Sequence, residues 1–422
     1  MRATASSPRA RPSAPWRLIA LLGAVVLLTA ACESAPSPEA RPPVPPGVSG
    51  SPVPGSPSPA AATPVPVPGH ELYGYLPYWE LADDGMAEHL ARTPLTTLAL
   101  FSVTHRGKGV ISTRAKAWPL ITGDIGRQLI REAKQRGTRV ELVYTSFGLA
   151  KNRKLFERPE LQATVIGGLV QLVTDLGVDG VNVDVESLDP LLVPAYGGFV
   201  ADLRAAIVAA DPADQVSVAT GAHGLGAAMA EVASVAGADR IFLMGYDYRT
   251  GRSAPGATSP LDRADGGTPT LRSSLERYLA LGVPADRLLL GLPLYGVEWP
   301  VAGPVAGAPA TGRGATWFPR NNVGLLTDPE IAPIRDEIEQ VDIYLVASDG
   351  PIGAPSVEPG ASADTRTWRA VYVDTPGTLA PKLALANELG LAGAGWWAVG
   401  YERGIPGYTE LMDRFTAGTA LP

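Results

Sequence analysis

The chain has 422 residues, 45% of them apolar, and a formal charge of −7. Such a composition supplies a large core but no basic face for nucleic acid, so a nucleic-acid partner is not expected. A single cysteine rules out an internal disulfide.

Arg2, Arg9, Arg11 and Arg17 precede an apolar run from Leu18 to Leu28, which leads into Thr29-Ala30-Ala31-Cys32. A basic head, a short apolar core and a small-residue exit predict a secretory signal over 1–31, too short for a membrane span. Cys32 directly behind it resembles the lipidated cysteine of the bacterial lipobox, with Thr29 departing from the usual leucine. The expectation is an extracytoplasmic lipoprotein of a bacterial cell envelope, held to the membrane by a lipid anchor at Cys32. A freely secreted protein is the alternative. Residues 32–69 are dominated by Pro, Ser, Ala and Val. They cannot bury a core and predict an extended tether, reaching on the order of 100 Å at about 3.1 Å per residue.

From His70 onward, apolar β-rich runs recur at Leu72–Trp79, Leu95–Thr104, Val140–Phe147, Gly180–Ser187, Val216–His223, Arg240–Tyr248, Leu288–Tyr295 and Gly393–Val399. Helix-like stretches lie between them, at Ile125–Arg136, Gln162–Leu176, Tyr196–Ala210 and Leu379–Leu389. Eight strands of this kind alternating with helices predict an α/β fold, a (β/α)8 TIM barrel over 70–417. The gap between strands seven and eight is too long for one βα unit. It predicts a small α+β insertion over about 297–369, with its own strand near Ile343–Ala347.

The fourth run reads Asp179-Gly-Val-Asn-Val-Asp-Val-Glu186. On a strand, Val181, Val183 and Val185 face one way and Asn182, Asp184 and Glu186 the other. Two carboxyls on one face of a buried strand are costly, and they cannot both ionise easily. A proton donor beside a fixed negative charge is the equipment for cleaving a glycosidic bond. Capping of the next helix, or pairing with Lys or Arg, is the bland alternative for Asp-x-Glu. Asp179-Gly180 and Ser187-Leu-Asp-Pro190 bracket the run with turn and helix-start signals, which puts the carboxyls at the strand's C-terminal end. That is where barrel enzymes keep their chemistry.

The octapeptide resembles the Asp-x-x-Asp-x-Asp-x-Glu signature of family 18 glycoside hydrolases, the chitinase-like barrels. Met244-Gly-Tyr-Asp-Tyr248, Gly291-Leu-Pro-Leu-Tyr-Gly296 and Val371-Tyr-Val-Asp374 with Gly393-Ala-Gly-Trp-Trp-Ala-Val-Gly400 resemble its later motifs in order. Asn182 stands where the commonest pattern has Asp. In this, and in Gly74-Tyr-Leu-Pro-Tyr-Trp79, the chain is similar to the spore-germination and cortex-lytic branch that acts on peptidoglycan.

The resemblance implies substrate-assisted, retaining hydrolysis of β-1,4 bonds at N-acetylglucosamine, with a glycan of that sugar as partner. Glu186 is the implied acid, while Asp184 and Tyr246 hold the acetamide of the substrate. Asp179 is expected to share hydrogen bonds with Asp184, and Asn182 to replace a carboxylate there. Trp397 is the implied aromatic floor, with Trp396 in the core. Tyr78, Trp79, Tyr295 and Trp299, at strand ends, are candidate cleft walls, and Asp247 is a candidate sugar ligand. His70, His89, His105 and His223 lack metal-ligand spacing, and no metal or cofactor is inferred. A monomer is expected. The rival reading is a non-catalytic, lectin-like sugar-binding lipoprotein on the same barrel.

Overall fold

The structure is a computed structural model describing residues 69–263, 269–347, 350–351 and 367–422. The signal segment, Cys32 and the tether up to residue 68 lie outside them. Seven parallel strands follow in chain order: β1 (Glu71–Pro77), β2 (Thr97–Thr104), β3 (Arg139–Phe147), β4 (Gly180–Glu186), β5 (Gln215–Gly221), β6 (Arg240–Met244) and β7 (Leu288–Pro293). Six further strands belong to the insertion, namely β8 (Gly296–Val301), β9 (Ala315–Trp317), β10 (Ile334–Asp336), β11 (Val341–Ala347), β12 (Gly350–Pro351) and β13 (Trp368–Val373). The last barrel strand, β14 (Gly393–Trp397), pairs with both β7 and β1 and closes the ring as a (β/α)8 barrel.

The strands close into a barrel with both faces covered, as in Leu-Leu-Leu-Gly-Leu-Pro of β7, which is apolar and buried throughout. Outward-facing side chains pack under helices such as Asp124–Gln135, Pro159–Leu176, Val193–Ala210 and Pro376–Glu388. Inward, Tyr73, Tyr75, Val143, Phe242 and Leu289 fill the interior as a second cluster. Phe242 is large for that space, and two glycines make room for it. A Cβ on Gly291 would lie 2.2 Å from the ring, and one on Gly395 2.5 Å.

The insertion is an antiparallel sheet in the order β10-β11-β13-β8-β9, with β12 beside β11. It has its own core around Trp299, Trp368 and Tyr372. It runs from Gly296 to Val373, so Val371–Val373, grouped above with the eighth-strand motif, belongs to the insertion instead.

The strand expected over Arg240–Tyr248 stops at Met244. Aromatic residues continue the β-like pattern, but the backbone turns at Asp247 (φ 62°) and the Asp247 N–H bonds the Thr258 hydroxyl at 3.1 Å. Tyr246 and Asp247 are thereby delivered on a loop at the mouth of the barrel. The fifth strand likewise ends early, at Gly221. His223 becomes the cap of the helix Gly224–Val235, its Nδ1 accepting the Gly226 N–H at 3.3 Å.

Candidate active site

The alternation of β4 decides the site. Val181, Val183 and Val185 join the core beneath the helices, while Asn182, Asp184 and Glu186 project into the barrel as three rising layers. Asn182 is fully buried. Its Oδ1 accepts the Tyr75 hydroxyl at 3.1 Å, and its Nδ2 donates to Ser217 Oγ at 2.7 Å. Asp184 lies one layer up, buried, and its Oδ1 has no hydrogen-bond partner among the described residues. Glu186 reaches the exposed rim. Its carbonyl is held by Asn152 Nδ2 and by the Gly148 N–H, and Ser187 (φ 63°) turns the chain away immediately after it.

These carboxyls hold their protons tightly. Burial, and then the negative charge of Glu186, lift Asp184 well above the usual carboxylate range. Glu186 is raised by burial and by Asp247. Asp247 is raised by burial, with the Tyr295 hydroxyl bonded to its Oδ1 pulling the other way. All three carboxyls, none of them in an ion pair among the described residues, thus hold their protons more tightly than free carboxyls do.

The cleft over them encloses about 690 Å³. Asp184, Glu186, Tyr246, Asp247, Trp79 and Trp397 all line it, so six of the residues singled out in the sequence converge. Trp397 packs edge-on against Phe101, with centroids 4.7 Å apart, and tilts against Tyr75 at 5.6 Å. Trp79 is 47% exposed, and its indole N–H donates to the Tyr401 hydroxyl at 3.1 Å. Phe101 and Phe147 complete this aromatic wall, and His223 lines the cleft as well as capping its helix. Phe147 went unassigned because an apolar residue ending a strand reads as core. Its position at the C-terminal end of β3 was the available signal.

Five candidates do not line the cleft, the buried Asn182 among them. Asp179 precedes β4 at the opposite end of the barrel, where Oδ2 accepts the Val140 N–H at 2.8 Å and Oδ1 pairs with Lys134 at 2.7 Å. Five residue steps of about 3.3 Å each separate it from Asp184, so the expected hydrogen bonds between the two do not form. Trp299 is 0% exposed in the core of the insertion, donating to the Ser253 carbonyl at 3.1 Å, and forms no part of the cleft. Tyr78 packs edge-on against Trp79 at 5.0 Å and does not line the cleft. Tyr295 sits behind Tyr246, with ring centroids 6.2 Å apart, and holds Asp247.

Paired carboxyls at the C-terminal end of a barrel strand, under an aromatic-lined cleft, define a carbohydrate-processing (β/α)8 barrel. The family described as glycosyl hydrolases family 18 matches residues 74–402. The chain belongs to that family and carries its glycosidase domain. YdhD of Bacillus subtilis (strain 168), which bears a sporulation-specific glycosylase name, is 25% identical over 199 residues, 42% of this chain and 43% of that one. The chain spans less than half the length of the curated relatives it matches. Among solved structures, the Bacillus cereus spore cortex-lytic enzyme SleL has a TM-score of 0.63 at 18% identity, covering 82% of this chain and 74% of that one. A family 18 N-acetylglucosaminidase from Paenibacillus barengoltzii has a TM-score of 0.64 at 18% identity, covering 83% and 99%.

Proposed function

We propose that this chain hydrolyses β-1,4 bonds next to N-acetylglucosamine in peptidoglycan, by substrate-assisted catalysis with retention. The observation that carries this reading is the buried, unpartnered Asp184 carboxyl oxygen beneath Glu186 in an aromatic-lined cleft. Glu186 gives its proton to the glycosidic oxygen as the bond to C1 breaks. The carbonyl oxygen of the substrate's own acetamido group bonds to C1, forming an oxazolinium ion. This is an exception to the scheme with two working carboxylates. Asp184 accepts the acetamide N–H and stabilises the positive charge, and the Tyr246 hydroxyl donates to the same group. Water then adds to C1, reopens the ring and leaves its proton on Glu186. Trp397 lies under the sugar being cleaved, with Trp79 along the wall.

The names of the cortex-lytic and N-acetylglucosaminidase structures favour a glycan of this type, and the resemblance of the Asn182 pattern to the cortex-lytic branch favours peptidoglycan over chitin. A lipid anchor at Cys32 and a tether would hold the domain near the wall, in the extracytoplasmic space. The test is to incubate the full chain with peptidoglycan and with chitooligosaccharides and to read products by mass spectrometry. New reducing-end N-acetylglucosamine fragments from peptidoglycan are expected. Products from chitooligosaccharides alone would move the substrate to chitin. Intact oligosaccharides bound without cleavage would make the chain a sugar-binding protein.

A further inference from the structure

Among the described residues, His223 is the only basic side chain lining the cleft, and the reaction above does not use it. Its place follows from the register of two neighbouring strands. Asp184 of β4 pairs with Ala219 of β5, and two residues further along each strand bring Glu186 level with Gly221. Ser217 and Ala219 face the barrel interior, so alternation turns Gly221 inward as well. Gly221 brings no side chain to that position, and the imidazole of His223 folds over it. A Cβ on Gly221 would stand 2.8 Å from His223 Nε2 and 3.2 Å from its Cδ2. Adjacent strands run about 4.8 Å apart. His223 Nε2 therefore stands one strand over from the acid, in the same layer.

The helix cap sets what that nitrogen can do. Nδ1 accepts the Gly226 N–H at 3.3 Å, so the ring carries its proton on Nε2. His223 makes no other side-chain hydrogen bond and no ion pair among the described residues, which leaves the Nε2–H for a ligand. Asp184, Glu186 and Asp247 present oxygens that suit the hydroxyls of a sugar. Nε2–H can only donate, and it suits a substrate oxygen that can only accept, a carbonyl or a carboxylate.

In chitin every such oxygen belongs to an acetamide. Peptidoglycan adds another on alternate sugars, on a lactyl ether at O3, as a carboxylate or as the first amide of the peptide. When the leaving sugar carries it, O3 lies one carbon from the C4 that bears the scissile oxygen. Glu186 must reach that oxygen, so the lactyl group comes to lie beside the acid, at the distance where His223 stands. We infer that His223 determines specificity, its Nε2–H binding the lactyl acyl oxygen of the leaving sugar and so favouring peptidoglycan over chitin. This rests on the hydrolysis proposed above for where the two sugars lie.

The test uses the full chain and two oligosaccharides of equal length that differ only in the lactyl ethers, a peptide-free peptidoglycan glycan and a chitooligosaccharide. His223→Ser keeps a cap for the helix Gly224–Val235 but cannot reach the cleft. His223→Gln sets an amide N–H near the place of Nε2. His223→Ser is expected to lower kcat/KM on the lactyl-bearing glycan about five-fold or more beyond its effect on the chitooligosaccharide. His223→Gln should bring the preference back to within about three-fold of the parent. An equal loss on both glycans in folded His223→Ser, or an unchanged preference, would overturn the proposal and leave the hydrolysis standing. Cleavage of the chitooligosaccharide alone by the parent would overturn it together with the peptidoglycan substrate. If the parent cleaves neither glycan, calorimetry with both reads the preference in binding. A preference lost in His223→Ser would then uphold the contact and overturn the reaction, and equal affinities in the parent would overturn both.

Discussion

Glu186→Gln is expected to lower kcat by roughly two to four orders of magnitude while the protein folds and binds oligosaccharide as before. Glutamine matches the shape of the side chain but cannot deliver a proton to the leaving oxygen or take one from water. The effect should fall on kcat because the lost interaction exists only as the bond breaks. Glu186 sits on the exposed rim, and its carbonyl contacts to Asn152 and Gly148 are made by the backbone. The substitution therefore leaves the local fold untouched. Steady-state kinetics beside a thermal melt would check this, and near-parental turnover would remove Glu186 from the chemistry.

Asp184→Asn is expected to move activity and stability in opposite directions. Activity should fall about 100-fold or more, because an amide cannot ionise to the anion that faces the oxazolinium as it forms. Stability at neutral pH should rise. The folded protein holds the Asp184 proton far more tightly than the unfolded chain, since burial and then Glu186 disfavour the anion. Ionising this carboxyl in the native state therefore costs stability, beginning above its unfolded pKa of about 3.9 and growing as pH rises toward the folded value. The variant should melt above the parent at pH 7 to 8, and the gap should close as pH falls toward 4. A gap constant with pH would place the effect in packing rather than in the charge. A site that destabilises its own fold is what selection for function at that position leaves behind.

The barrel and the heart of the site were legible because they depend on short-range pattern. Alternation alone put Asn182, Asp184 and Glu186 on one face, and the turn signals around them chose the end of the strand. What was not legible depended on length and on tertiary partners. Asp179 belongs to the same octapeptide as Asp184, but a strand's rise carries it to the floor of the barrel, onto Lys134. Trp299 follows a barrel strand in sequence, yet it is the anchor of a second core that the sequence outlined only as an insertion. Tyr246 and Asp247 were read as strand because aromatic residues fit one, and the positive φ at Asp247 had no glycine to announce it. Glu141 of β3 was one charged residue in an apolar run, and its hydroxyl partners, Tyr73 and Ser217, lie 68 and 76 residues away.

The central claim is that the acetamido group of the substrate is the nucleophile and that Glu186 and Asp184 serve it. The most direct measurement compares an N-acetylated chitooligosaccharide with its deacetylated counterpart of equal length, following the anomer first formed by proton NMR. The account predicts cleavage of the acetylated sugar alone, with β-anomer product appearing before mutarotation. Comparable cleavage of the deacetylated sugar, or α-anomer as first product, would contradict it.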